Sequence, residues 1–180
     1  LVQKLAEKYM EPNPGAFIAV TGGGSGTGIA ALMNKKCAIA NSSRQMKPKE
    51  VSDALKSGVE ATRVVIAIDG LSVIVNPQNS VTKLTVDEIG AMFRGDITNW
   101  NEVGGNDAPI TLYGRQSNSG TYEFLRDVVL KADYSQKMNH MNGTAQIVEA
   151  VKQDVSGIGY AGVGYVKETT GITIVNVAAK

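Results

Sequence analysis

Along this chain, short runs of β-branched and aliphatic residues alternate with stretches whose apolar positions recur every three or four residues, the two periods that mark strands and helices. The first stretch, LVQKLAEKYM (1–10), sets Leu1, Leu5 and Tyr9 on one helical face with no capping residue before it. It stops at NPG, and AFIAV (16–20) reads as a strand that runs into a glycine-rich loop and then a helix over 29–35. CAIA (37–40) reads as a strand, KPKEVSDALKSG (47–58) as a helix ended by Gly58, and RVVIAI (63–68) as another strand. The chain changes character at Asp69-Gly70, where we expect it to cross from one body to another. LSVIVNP (71–77) is extended, and TVDEIGAMFRG (85–95) opens a helix with a Thr85/Glu88 capping box. ITLYG (110–114) precedes a polar loop and helix over 115–130, GTAQIVEAVKQD (143–154) is a further helix, and GIGYAGVGYV (157–166) suits a strand with close backbone approach. Strand-loop-helix order throughout predicts an α/β protein.

Composition narrows this reading. The 180 residues suffice for a real core in one or two domains, and 43% apolar with 19% charged residues is the make-up of a folded globular chain. A net charge of +1 removes the electrostatic case for nucleic acid or an anionic membrane surface, so any anion site must be local. No run approaches the roughly 20 apolar residues of a membrane span, so no direct membrane insertion is expected. The single cysteine, Cys37, lies in an apolar run and reads as a small buried hydrophobe. His140, the only histidine, sits in the polar stretch MNHMNG and is expected to face solvent, as are Lys47 and Lys49 at the start of their helix. Trp100, Tyr160 and Tyr165 read as packing residues.

The candidate chemistry lies in a repeated element. TGGGSGTG (21–28) and SNSGT (117–121) both carry Ser-Gly-Thr, at Ser25 to Thr27 and Ser119 to Thr121, and both follow a predicted strand and open a predicted helix. A helix start leaves backbone N–H groups without intrahelical partners and carries partial positive charge, so it attracts an anion. Glycine lets an oxygen come close, and the hydroxyls add donors that need no ionisation. Arg115, four residues before Ser119, offers a planar guanidinium that grips two oxygens. One such run alone is as readily a simple turn; two facing copies with an arginine make a site for a tetrahedral oxyanion. Nucleotide motifs fit badly: Gly28 is followed by Ile29 and Ala30 rather than the P-loop lysine, and the dinucleotide fingerprint counted from Gly24 ends on Ile29.

In this order, GGGSGTGIAAL, IANSSRQMKPKE, DGLSVIVNP, ITNWNEVGG and YGRQSNSGTYEF resemble the phosphate-binding proteins of bacterial phosphate ABC transporters, and the likeness runs along nearly the whole chain. The resemblance implies a two-lobed, type II periplasmic-binding-protein fold with crossing strands, divided here as 1–72 in the first lobe, 73–162 in the second and 163–180 returning to the first. It implies binding of inorganic phosphate in the interlobe cleft, delivery to an ABC-type permease, and a periplasmic or cell-surface location, with no cofactor or metal. The implied ligands are Ser25, Arg115, Ser119, Gly120 and Thr121, with Gly26 beside them. The family's strand-end aspartate aligns with Ser43, next to Arg44, so the acceptor that would take the proton of hydrogen phosphate is replaced by a hydroxyl. Asp69 is either a substitute for it or a turn aspartate before Gly70. Family chains also begin with a further strand and continue past the equivalent of Lys180, so both ends of this sequence are expected to be trimmed.

Two rival classes stay open. A same-fold receptor or sensor for sulfate, molybdate or another oxyanion is kept alive by Ser43. A phosphate-ester hydrolase is disfavoured, because neither Ser25 nor Ser119 sits in a G-x-S-x-G elbow and no Asp, Glu and His cluster suits a metal.

Overall fold

The helical patterns of the sequence form largely where they are expected in the computed structural model, which describes residues 2–178. The helices are α1 (Val2–Met10), α2 (Ser25–Met33), α3 (Pro48–Lys56), α4 (Val86–Arg94), α5 (Gly120–Phe124), α6 (Thr144–Gln153) and α7 (Val163–Val166). Their ends follow local chemistry. Proline sits at the first position of α3, where its missing N–H costs nothing, and Gly58 beyond its end takes φ +69°. At α4 the expected capping box is present: Glu88 N–H donates to Thr85 Oγ1 at 3.2 Å, and Glu88 Oε2 accepts from the Thr85 N–H at 2.7 Å.

The strands are β1 (Leu71–Val75), β2 (Lys83–Thr85), β3 (Thr111–Arg115), β4 (Asn139–Met141), β5 (Gly157–Gly162), β6 (Thr173–Ile174) and β7 (Asn176–Ala178). Five of them form one sheet in the order β4-β3-β5-β1-β6, while β2 and β7 pair separately and in parallel. Within the large sheet β3 runs parallel to β4 and β5, and β1 runs antiparallel to β5 and β6. Strand alternation divides the apolar residues between two faces. Val73, Val75, Leu112, Ile158 and Tyr160 join Met92, Phe93, Trp100 and Leu125 on one side, and Ile74 and Ala161 join Ile147, Val148 and Val151 of α6 on the other. The expected close approach is at Gly159, where a Cβ would lie 2.5 Å from Ile147 Cγ2. Trp100 packs as expected, 1% exposed, with its indole N–H donating to Ser156 O.

Several expectations need correction. The runs at 16–20, 37–40 and 63–68 form no strands. Their residues are strand formers, but a strand exists only through a ladder partner, and these segments have none among the described residues. Phe17 and Ile68 stand 92% and 97% exposed as a result. The helix expected over 29–35 starts at Ser25 and ends at Met33, so the serine of the glycine run is itself the first helical residue. The strand expected over 157–166 stops at Gly162, and Val163–Val166 is a short helix. On α1, Leu5 and Tyr9 are largely exposed and only Ala6 is buried; Leu1 lies outside the described residues. Cys37 is half-buried rather than core, Tyr165 is exposed, and His140 is exposed as expected.

In the last segment β6 hydrogen-bonds to β1, β7 pairs with β2, and Val175 joins the core cluster that holds Val73. Residues 179–180 lie outside the described residues. No helix is long and apolar enough to cross a membrane among the described residues.

Candidate anion-binding site

The glycine run enters α2 in an extended conformation, with Gly24 at φ −94° and ψ 174° as the N-cap. Ser25 is therefore in the first helical turn, 6% exposed, and its hydroxyl oxygen accepts the Ser43 N–H at 3.1 Å. The Ser25 and Ser43 hydroxyl oxygens lie 3.2 Å apart. The polar turn NSSR thus folds onto the start of α2.

The second Ser-Gly-Thr copy follows β3. After Arg115 the chain turns through Gln116, whose carbonyl accepts the Ser119 N–H at 2.9 Å, and Gly120 opens α5. Ser119 is 2% exposed, Gly120 is buried, and Thr121 is half-buried on the first turn. α5 winds directly into a π-helical turn, Leu125–Leu130, a departure from regular winding frequent at functional sites.

The two copies meet. Gly26 N–H donates to Asn118 O at 3.0 Å, and the Asn118 amide donates to Thr27 Oγ1 at 3.2 Å. A Cβ on Gly24 would run into Asn118 O, and a Cβ on Gly120 would run into Ser43 Oγ with Ser25 Oγ at 2.5 Å. At Gly24 the obstacle is the Asn118 backbone and at Gly120 the side chains of Ser43 and Ser25, and neither glycine has a positive φ. Ser25, Gly26, Ser43, Ser119 and Gly120 are therefore brought to one junction.

Arg115 stands at the edge of that junction. It ends β3, so it lies at the carboxyl ends of the parallel strands β3, β4 and β5, where ligand sites of such sheets are found. The starts of α5 and α6 are at the same edge and add partial positive charge. Its Nη1 donates to Thr144 Oγ1 at 3.3 Å, its backbone N–H donates to the Tyr160 hydroxyl at 2.9 Å, and its carbonyl oxygen is 3.2 Å from His140 Nδ1. Its Nε is buried without a hydrogen-bond acceptor, and among the described residues no carboxylate lies within 4.0 Å of its guanidinium. Burial holds the Arg115 pKa below the ordinary arginine value, partly offset by Tyr160. A cation in this setting lacks an anion.

The other arginine behaves in the opposite way. Both Nη atoms of Arg44 bond the Glu50 carboxylate at 2.8 Å, and its Nε lies 2.7 Å from Glu123 Oε2. The hydrogen bonds from Arg44 pull the Glu50 pKa down to about 2. Arg44, a lower-ranked candidate ligand in the sequence, thus has its donors directed at two carboxylates. Lys47 is exposed as expected, and its Nζ sits 3.0 Å from Glu123 Oε1. Asp69 is exposed, with Oδ2 against Gly162, and no hydrogen bond joins it to the serine cluster among the described residues. Sequence reasoning missed Asn118, Thr144, Glu50 and Glu123 and treated Tyr160 as packing alone. Asn118 and Thr144 precede or open helices in ordinary turn chemistry, and nothing local sets them apart.

Comparison with known proteins agrees with this architecture. A family model described as PBP superfamily domain matches residues 1–180. The phosphate-binding protein PstS of Pseudomonas aeruginosa is 32% identical over 194 residues, covering 100% of this chain and 59% of that protein. That of Bacillus subtilis is 40% identical over 124 residues, 67% of this chain and 39% of that protein. Among solved structures, a putative phosphate ABC transporter substrate-binding protein with bound phosphate from Clostridium perfringens superposes with a TM-score of 0.87 at 30% identity, over 98% of this chain and 70% of that one. An ABC-type phosphate transport receptor from Vibrio cholerae gives 0.74 at 28% identity, over 98% and 71%. The chain thus spans about three fifths of the Pseudomonas relative (59%). With its α/β architecture and these two-lobed relatives, the chain belongs to the periplasmic-binding-protein (PBP) superfamily.

Proposed function

We propose that this chain binds inorganic phosphate at the junction of its two Ser-Gly-Thr turns, as the receptor component that hands the anion to an ABC-type membrane permease outside the cytoplasmic membrane. The observation that carries the reading is Arg115: a half-buried guanidinium with an unpaired buried Nε and no carboxylate among the described residues, bonded to Thr144 at the start of α6 and four residues before the Ser119–Thr121 turn that opens α5. Ser25, Ser43, Ser119 and Thr121 supply hydroxyls, Gly26 and Gly120 allow close backbone approach, and Arg115 supplies the charge. Phosphate-binding relatives that align over the whole chain support this choice of anion. The boundary between lobes falls near Asp69–Leu71, with β6 and β7 assigned to the second. Chemistry ends at binding, since neither serine is set in a nucleophile elbow.

A second reading, for sulfate or another oxyanion, follows from Ser43 in the place of a carboxylate, because a carboxylate there would repel a fully ionised anion. A serine oxygen can still accept the proton of hydrogen phosphate. Thermal unfolding with added phosphate, sulfate and arsenate decides, since ligand bound to the folded state raises apparent stability. Phosphate and arsenate are expected to raise the midpoint more than sulfate; a sulfate response equal to or larger than that of phosphate overturns the assignment.

A further inference from the structure

Tyr160 and Tyr134 are buried at 0% and 8% exposure, yet both hydroxyls are engaged. The Arg115 backbone N–H donates to the Tyr160 hydroxyl at 2.9 Å, the Tyr160 and Tyr134 hydroxyl oxygens are 3.4 Å apart, and the Tyr134 hydroxyl donates to Tyr122 O at 3.0 Å. One end of this chain is an N–H, which can only donate, and the other a carbonyl, which can only accept. Each phenol has one proton. Tyr134 shares its proton between the Tyr122 carbonyl at 3.0 Å and the Tyr160 hydroxyl oxygen at 3.4 Å, so Tyr160 is the acceptor between the two phenols. The Tyr160 oxygen thus accepts from both the Arg115 N–H and the Tyr134 hydroxyl, and Tyr134 links it to the Tyr122 carbonyl. The rings are held in register by packing: Tyr122 and Tyr134 stack at 4.3 Å, and Phe93 meets the edges of Tyr134 and Tyr160 at 6.1 and 5.5 Å. Burial raises the pKa of both phenols, so both stay protonated.

The two ends of this chain are the two parts of the second half-site. Arg115 carries the guanidinium, and Tyr122 is on the first turn of α5 directly after Thr121. We propose that Tyr160 and Tyr134 are positioning residues: their hydroxyl chain ties the end of β3 to the start of α5 and sets the spacing between the Arg115 charge and the Ser119–Thr121 donors. Neither tyrosine touches the anion. The functional meaning rests on the phosphate reading, whereas the chain itself does not.

Two measurements on the full chain test this. In a 1H–15N spectrum, Tyr134→Phe moves the Arg115 amide proton downfield although Tyr134 makes no bond to Arg115, because a Tyr160 oxygen that no longer accepts from Tyr134 accepts more strongly from the Arg115 N–H. By calorimetry, Tyr134→Phe and Tyr160→Phe each weaken phosphate binding about 3- to 10-fold, the value of one neutral hydrogen bond, and the double variant is no weaker than Tyr160→Phe alone. Val148→Ala, in the core on the other sheet face, loses stability and keeps its phosphate affinity. An unmoved Arg115 amide in Tyr134→Phe overturns the chain, and unchanged phosphate affinity in both variants overturns the positioning role. Wild-type protein that binds no phosphate overturns the assignment of the site, and with it the positioning role, while the amide shift still decides whether the chain exists.

Discussion

Replacing Gly120 by alanine probes the junction with a single methyl group. The backbone at Gly120 is not in the left-handed region, and alanine favours a helix over glycine by about 1 kcal/mol, so the second lobe tolerates the change. The methyl group has nowhere to go while the two turns touch. Its carbon would clash with Ser43 Oγ and lie 2.5 Å from Ser25 Oγ and 3.2 Å from Ser25 Cβ. Rotating Ser25 away sacrifices the bond from the Ser43 N–H at 3.1 Å, and separating the turns stretches Gly26 N–H to Asn118 O. Overpacking of this kind together with one lost hydrogen bond costs about 2–3 kcal/mol, which corresponds to roughly 30- to 150-fold in Kd. Calorimetric titration with phosphate reads the affinity, and thermal unfolding without ligand checks that the fold is kept. Gly22→Ala is the matched control, because a Cβ there meets nothing within 4 Å. Phosphate affinity in Gly120→Ala within twofold of wild type would refute the claim that binding needs the two turns in contact.

Further outcomes follow from the charged groups and from the capping box. Glu123 on α5 holds Arg44 and Lys47 from across the junction, so Glu123→Gln loosens that contact but leaves both cations less compensated, and phosphate binding is expected to become more dependent on salt, measured by titration at two ionic strengths. Glu50 has its pKa lowered from 4.5 to about 2 by Arg44. Its ionised form is favoured by folding, so its contribution is complete above about pH 4.5 and is lost as the pH falls towards about 2; urea unfolding across that window is steeper in wild type than in Glu50→Gln. Thr85→Ala removes the N-cap of α4 and lowers stability by about 1 kcal/mol in urea unfolding, with phosphate affinity unchanged because the Thr85 side chain bonds only Glu88 among the described residues and no residue of the serine turns.

What the sequence disclosed divides by the range of the forces involved. The capping box at Thr85, the glycine stop after α3 and the amphipathic period of α6 are local, and each formed as read. The Ser-Gly-Thr pair was legible because helix starts advertise themselves through residue type. Strands were legible only where a partner exists: LSVIV became β1 between β5 and β6, whereas the equally apolar RVVIAI stayed unpaired. Long-range charge pairing was invisible in the same way. Arg44 and Arg115 look alike in sequence, and only the fold shows that the former is neutralised by Glu50 and by Glu123, 79 positions away, while the latter is left without a carboxylate. The tyrosine chain joins positions 115, 122, 134 and 160, a spacing with no period to betray it.

The most direct test of the central claim is titration of phosphate into wild type, Arg115→Gln and Arg44→Gln by calorimetry. Wild type is expected to bind one phosphate per chain. Arg115→Gln, which loses charge-assisted bonds worth about 1.5–3 kcal/mol each, is expected to bind at least 100-fold more weakly, while Arg44→Gln loses far less. Phosphate binding by Arg115→Gln as tight as that of wild type would contradict the account.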